Sequence, residues 1–147
     1  MAAFAMQMNR TASATLPLGS IGADATRPRR GKVYDALFGS EASPADNAFL
    51  YTVQRVTALG TSTAVTPQQL DPADAATEAD AGENHTVDAT ATANAILLAL
   101  PLNQRATFRW VTDRPLTYPA TAANGFAVYT PTSSAVAITA TVWFEEQ

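Results

Sequence analysis

The chain has 147 residues and a net charge of −4, and 15% of its residues are charged, against about 25% in an average globular domain. This length is enough for one domain with its own core. The absence of cysteine excludes disulfides, thiolate metal sites and cysteine nucleophiles. Ala and Thr account for 31 and 20 residues, a composition that favours closely packed strands.

The acidic balance argues against nucleic-acid binding, because the phosphate backbone recruits basic surfaces. The longest uninterrupted apolar run, residues 95–102, is too short to cross a bilayer, so we expect no membrane segment. The first residues lack a basic stretch before their short apolar run, so we expect no signal peptide.

Residues 1–32 are predicted to form an extended N-terminal arm, and residues 33–147 a single β-sandwich domain. The arm begins with alternating apolar side chains, which is typical of a short strand, and ends in a basic cluster. We expect both parts to dock on a neighbouring protein, although a solvated linker would show the same composition. The candidate interface residues are Phe4, Met6, Met8, Arg27, Arg29, Arg30 and Lys32.

The middle of the chain predicts strands over residues 33–38, 48–59 and 61–66, where apolar residues alternate and Gly or Pro follows. Ser43 before Pro44 predicts one helical turn. Asp71 and Pro72 predict a short helix over about 72–80. Residues 71–88 carry six acidic residues and no Lys or Arg, which indicates an exposed acidic loop.

The C-terminal half is strand-like throughout. Residues 95–102 are apolar on both faces, so this strand is either central in a sheet or covered by another subunit. Residues 105–111 are amphipathic, short strands are predicted at 115–118 and 126–130, and residues 135–145 alternate most clearly. About eight strands with one or two short helical turns predict an all-β, antiparallel β-sandwich that is jelly-roll-like.

No catalytic or metal motif stands out. His85 as a general base would need a nucleophile and an orienting acid, and the chain has no Gly-x-Ser-x-Gly elbow. The acids of residues 71–80 have the spacing of a solvated helix rather than that of a calcium loop, and nothing selects a catalytic carboxylate pair. We therefore expect no enzyme, no cofactor and no metal.

A second candidate surface combines arginines with aromatic residues. Such groups can stack on sugars or bases, but they are also common in cross-strand packing and at protein interfaces. The residues of this alternative ligand or interface surface are Arg105, Arg109, Trp110, Tyr118 and Trp143.

Residues 44–145 resemble a known class of proteins in their general sequence character. The segments that carry the resemblance are ADNAFLYTVQRVTALGTSTAVTPQQLDPADA, AGENHT, AILLALPLNQRATFRWV and ATAANGFAVYTPTSSAVAITATVWFEE. They look like the head decoration (cement) proteins of tailed bacteriophages and related small virion β-sandwich proteins. The resemblance implies a non-enzymatic clamp on neighbouring shell subunits, often a trimer at three-fold or quasi-three-fold positions.

We therefore expect a virion protein of the capsid surface, made in the host bacterial cytoplasm, whose partners are the major capsid protein and further copies of itself, with a trimer favoured. The alternative is a tail- or fibre-associated module that recognises host-surface glycans, and its signature would be Trp143, Trp110 and Tyr118 exposed on one face. An enzyme ranks third. A β-sandwich that forms oligomers with no phage connection is the fourth interpretation.

Overall fold

The computed structural model describes residues 1–132 and 135–147, and within these ranges the chain is all-β with no helix. Two antiparallel sheets face each other as a β-sandwich, which confirms that part of the prediction. The strands are β1 (Ala2–Thr11), β2 (Gly19–Ala23), β3 (Gly31–Ser40), β4 (Ala48–Ala58), β5 (Thr61–Ala64), β6 (Gln68–Gln69), β7 (Ala79–Val87), β8 (Thr90–Asn103), β9 (Phe108–Tyr118), β10 (Gly125–Tyr129) and β11 (Ala137–Glu146).

The strand order is β6-β1-β11-β3-β9 in the five-stranded sheet and β5-β7-β2-β10-β4-β8 in the six-stranded sheet. The chain passes between the two sheets several times, so strands that are adjacent in sequence often lie in different layers. Each sheet turns one face inward, and side chains of alternate residues meet between the layers.

The core follows the predicted alternation most clearly in β11. Ile138, Ala140, Val142 and Phe144 are at most 4% exposed, whereas the residues between them are half-buried on the outer face. The same period in β1, β3, β4 and β10 supplies the remaining apolar side chains between the sheets. The predicted strands in these regions are confirmed, with ends shifted by a few residues.

The predicted N-terminal arm is wrong, because residues 1–32 are part of the sandwich. β1 pairs with β11 along its whole length, from Ala2 opposite Glu146 to Thr11 opposite Ala137. β2 lies inside the six-stranded sheet, between β7 and β10. The total accessible surface is 7121 Å², close to the roughly 7,200 Å² expected for a compact monomer of 15.4 kDa. No extended arm adds to it.

The two predicted helical segments also differ from the structure. Ser43 has a φ of 56°, which does not suit an N-cap residue in the β region. Asp71 forms a single turn, in which its side chain accepts the Ala73 amide at 2.9 Å and its carbonyl accepts the Asp74 amide at 3.0 Å. The chain is extended again from Ala79, because β2 and β5 offer partners to β7 on both sides. The acidic segment is therefore partly a strand.

Candidate interaction surface on the open side of the sandwich

The side of the sandwich formed by β5 and β6 is closed by the chain itself. Residues 65–78 cross from one sheet to the other and back, held by hydrogen bonds from the Val65 amide to Ala81 O and from the Leu70 amide to Ala3 O, both 2.9 Å. The Glu146 carboxylate accepts the Glu78 amide at 3.1 Å. We call this the closed side.

The opposite side is formed by β8 and β9, which are the edge strands of the two sheets. Within the described residues, β8 pairs only with β4, and β9 pairs only with β3. Residues 104–107 join the two strands in a short turn. Residues 41–47, which lead from β3 to β4, lie against this turn: the Gln104 amide donates to Asn47 O at 3.0 Å, and Gln104 Oε1 accepts the Ala45 amide at 3.0 Å. Between the turn and the far ends of β8 and β9, no segment like residues 65–78 covers the two edges within the described residues. We call this the open side.

The open side leaves core residues incompletely covered. Some of its side chains pack against the core but stay half-buried, and four of the seven exposed large hydrophobic residues in the described chain lie on these same two strands. We call this surface the β8–β9 seam. It consists of half-buried Leu98, Leu100, Leu102, Trp110 and Leu116, together with Ile96 (53% exposed), Leu97 (37%), Phe108 (39%) and Val111 (62%).

Behind the seam lies a cavity of about 20 Å³ whose lining is almost entirely apolar, with Leu98, Trp110 and Leu116 on the seam side. This volume has room for about one water molecule, and an apolar lining offers water no hydrogen-bond partners. The open side therefore suits docking by another protein surface better than binding of a small molecule.

Irregular pairing limits the usable part of both edges. Residues 92–95 of β8 lie opposite a single residue of β4, Arg55, and Asn94 has a φ of 58°. Residues 112–115 of β9 lie opposite Tyr34 alone. Bulges of this kind blunt an edge against strand addition. Leu97 is a further extra residue, between Ile96 opposite Gln54 and Leu98 opposite Val53. Residues 98–103 and 108–111, close to the turn, form the part of the seam without such irregular pairing.

The charge of the two sides differs. Residues 89–104, which include all of β8, contain no charged side chain. The turn and β9 add Arg105, Arg109, Asp113 and Arg114, so the rim of the seam is net basic. The closed side carries the acids of residues 71–83, where there is no Lys or Arg.

The outer face of the five-stranded sheet has a shallow concavity beside β9. Arg109 lies over the Trp143 ring, with its Cζ 5.8 Å from the ring centroid. Its Nε donates to both carboxylate oxygens of Asp35 at 3.1 Å, and its Nη2 also contacts Asp35 Oδ2. Asp35 is 4% exposed, and its hydrogen bonds raise the pKa of Arg109. Tyr34, Leu37 and Leu70 complete the lining.

The residues of the second candidate surface are not on one face. Trp110 packs toward the core because it alternates with Arg109 along β9. Tyr118 is completely buried, and its ring meets that of Phe126 edge-on at 5.8 Å. Arg105 lies in the turn, where its Nε donates to Pro44 O at 3.4 Å. Only Arg109 and Trp143 are brought together.

No family model, curated protein or solved structure matches this chain.

The structure also separates the apolar and the basic residues of the candidate interface predicted for the N-terminus. Phe4, Met6 and Met8 are at most 1% exposed in the core. The basic residues instead lie on the surface, in and just after the link between β2 and β3. We call these the basic loop, defined as Arg27, Arg29, Arg30 and Lys32.

Two ion pairs hold part of the basic loop. Arg27 Nη1 lies 3.0 Å from Glu78 Oε1, and Arg29 Nη1 lies 3.8 Å from Glu146 Oε2. Their side chains are still 71% and 52% exposed. The basic loop therefore remains available to a partner, whereas the apolar residues predicted beside it do not.

His85 is buried rather than placed in a surface loop. It is 1% exposed, its Nδ1 lies 3.4 Å from Val87 O, and its Nε2 has no hydrogen-bond partner among the described residues. Burial lowers its pKa, and Arg10 nearby acts in the same direction. The described residues contain no group of three or more His, Asp and Glu side chains that could hold a metal ion. They also contain no helix suited to crossing a membrane.

Sequence reasoning did not name Ile96, Leu97, Phe108 or Val111 as interaction residues. The available signal was the strand at residues 95–102 with two apolar faces, for which coverage by another subunit was one of two interpretations. The structure places this strand at an edge, which excludes the central position.

Proposed function

We propose that this chain is a non-enzymatic virion structural protein that decorates and stabilises a bacteriophage capsid by bridging neighbouring shell subunits. The observation that carries the proposal is the β8–β9 seam, where the half-buried leucines of the uncharged edge strand β8 and exposed apolar side chains of both edge strands lie on one side of the sandwich. Proteins that function as monomers place charged residues on such edges, cover them or keep them short. Large apolar side chains left exposed in this way are typical of an interaction surface.

The proposal extends to a jelly-roll fold. Eight strands run in the orders β1-β11-β3-β9 and β2-β10-β4-β8, and β5, β6 and β7 form an insertion after the fourth of them. Two sheets of four strands linked in this way are typical of a jelly roll, an architecture used by viral capsid and lectin domains.

The basic loop is the proposed contact with the shell. Arg27 and Arg29 are largely exposed despite their ion pairs, and arginines are enriched at protein interfaces. Deletion of residues 2–30 does not test this contact, because it would remove β1 and β2 from the two sheets. Substitutions within the loop keep the fold and change only the surface.

The test is co-sedimentation with empty shells of the source phage. We expect the protein to sediment with shells and the double variant Arg27→Gln/Arg30→Gln to bind them at least tenfold more weakly. The matched control Thr15→Glu/Ala122→Glu changes the net charge equally at exposed sites elsewhere, and we expect it to bind normally. If the shells sediment and the wild-type protein stays in the supernatant, the decoration role is overturned.

A specific observation favours one second function, recognition of a host glycan by a tail-associated module. Trp143, Arg109 and Asp35 share the concavity on the outer face, and an aromatic ring beside charged hydrogen-bonding groups suits a sugar. Saturable binding on a glycan array that Trp143→Ala abolishes and Val111→Ala preserves would support it.

A further inference from the structure

We infer that a second copy of this chain covers the β8–β9 seam, docked by its closed side, so that the copies associate head to tail. This inference rests on the proposed role of the seam as an assembly surface, and it names the occupant of that surface.

The two sides of the sandwich are covered to different degrees. Residues 65–78 of the same chain cover the closed side. On the open side, Leu98, Leu100 and Leu102 contact the core but are only half-buried. A protein surface that docks there would bury these leucines together with the exposed Ile96 and Leu97. It would cover the open side in the way that residues 65–78 cover the closed side.

The charges of the two sides also favour head-to-tail contact over contact between two seams. If two seams met about a two-fold axis, the basic rim of each copy, with Arg105 and Arg114, would face the same basic rim. If the seam meets the closed side of the next copy, these arginines approach the acidic stretch that contains Asp71 and Asp74. Complementary charges favour the second arrangement and disfavour the first, even though the net charge of −4 opposes self-association in general.

The strand edges on the two sides are similar in chemistry. The edges of the six-stranded sheet are β8 and β5, and those of the five-stranded sheet are β9 and β6. Head-to-tail docking therefore brings an edge of each sheet to the opposite edge of the same sheet in the next copy. Residues 56–70, which contain β5 and β6, are uncharged like residues 89–104, and Leu70, just after β6, is 52% exposed.

Such an interface is heterologous, because two different surfaces of the chain meet. Heterologous contacts form closed rings when the rotation between copies closes and open filaments when it does not. A closed ring of three would agree with the trimer expected from the resemblance.

The experiment uses the absence of cysteine. Ala99→Cys places one thiol on β8, and Thr63→Cys places one on β5, both at exposed positions. Each purified variant, and an equal mixture of the two after exchange, is treated with a short bismaleimide. We expect a covalent dimer in the mixture and none from either variant alone. Thr15→Cys, in the link between β1 and β2, is the control and should stay monomeric.

The double variant Ala99→Cys/Thr63→Cys extends the test. We expect a ladder of covalent species that ends at the number of copies in the ring, matching the mass from light scattering. Dimers formed by Ala99→Cys alone would overturn the inference in favour of a two-fold contact. A monomeric mass at high micromolar concentration, with no crosslinking, would overturn it as well. A monomeric protein that binds shells would overturn head-to-tail association and support the decoration role. A ring that does not bind shells would overturn the decoration role and support head-to-tail association.

Discussion

The rings of Phe4 and Phe144 stack in the core with centroids 5.3 Å apart and an interplanar angle of 27°. Phe4 lies in the first strand and Phe144 in the last, and the two residues are directly opposite each other in the β1–β11 ladder. Aromatic pairs at this separation stabilise beyond the area that they bury. Both ends of the chain are therefore integral to the sandwich.

Phe4→Ala should lower the free energy of unfolding by about 3–5 kcal/mol, the range for removing a buried phenylalanine. Urea denaturation measures the change. Met1→Ala is the control, because Met1 is 76% exposed and should change stability by less than about 0.5 kcal/mol. Equal small effects for the two variants would mean that β1 is the arm predicted from sequence.

The sequence predicted elements well where one period runs without interruption. The alternation in β11 identifies Ile138, Ala140, Val142 and Phe144 as one buried face, and all four are buried. The alternation in β1 also predicts a strand, but it does not indicate which other strand pairs with it. Pairing between residues more than a hundred positions apart is a property of topology, which a local pattern does not contain.

Other elements were missed because their residues lack a strand signal. β2 reads GSIGA, and glycine weakens strand predictions, yet a Cβ on Gly22 would lie 2.6 Å from Asn124 O. The close approach of neighbouring backbone requires glycine there. For the candidate surface, the sequence predicts the apolar strand at residues 95–102. It does not predict that this strand lies at the edge of a sheet.

Tyr51→Phe should destabilise the fold by about 0.5–1.5 kcal/mol, the net contribution of one hydrogen bond. The Tyr51 hydroxyl donates to Gly39 O at 2.8 Å and so links β4 to β3 across the two sheets. Burial raises the pKa of Tyr51 to about 12, so the hydroxyl stays protonated at neutral pH. Thermal unfolding measures the effect. Tyr34→Phe, at a half-buried position, should change the melting temperature less, and the reverse order would contradict this account.

Mild acid should destabilise the protein through His85. Burial lowers the pKa of this residue in the fold, so the unfolded chain, with a pKa of about 6.5, binds a proton that the folded chain does not. The contribution of neutral His85 to the free energy of unfolding is therefore fully present above about pH 6.5. It falls as the pH drops through that value toward the lower pKa of the folded state. Arg10 strengthens the shift, and Asp88 and the Val87 carbonyl oppose it.

The measurement for His85 is the free energy of unfolding at several pH values between about 7.5 and 5. His85→Leu removes the titrating group and should flatten this part of the curve, whatever its cost at neutral pH. Thr86→Val, at an exposed neighbouring position, should keep the wild-type slope. An unchanged slope in His85→Leu would assign the acid sensitivity to other groups.

The ion pair between Arg109 and Asp35 should show coupling in a double-mutant cycle. Arg109→Met leaves the buried Asp35 carboxylate without the guanidinium that now donates to both of its oxygens. Asp35→Asn added to this variant removes the uncompensated charge, so the double variant should be more stable than Arg109→Met alone. Urea denaturation of the four proteins tests this. Additive single effects would mean that the two groups do not interact.

Gly31→Ala should be the more damaging of two matched substitutions in β3. A Cβ on Gly31 would lie 2.1 Å from Tyr118 Cζ and 2.2 Å from its hydroxyl oxygen. Tyr118 is fully buried against Phe126, so the ring has no free space to enter, and overpacking of this kind costs about 1–3 kcal/mol.

Gly39→Ala is the control for this pair, because the atom nearest to its Cβ would be Thr107 Oγ1, at 3.3 Å. Thr107 is exposed in the turn before β9, where it can move by a few tenths of an ångström. We expect this variant to stay within about 0.5 kcal/mol of the wild type. Since both substitutions add one methyl group to the same strand, the difference between them measures how tightly Tyr118 closes this end of the core. Equal stabilities would mean that Tyr118 can leave its position without cost.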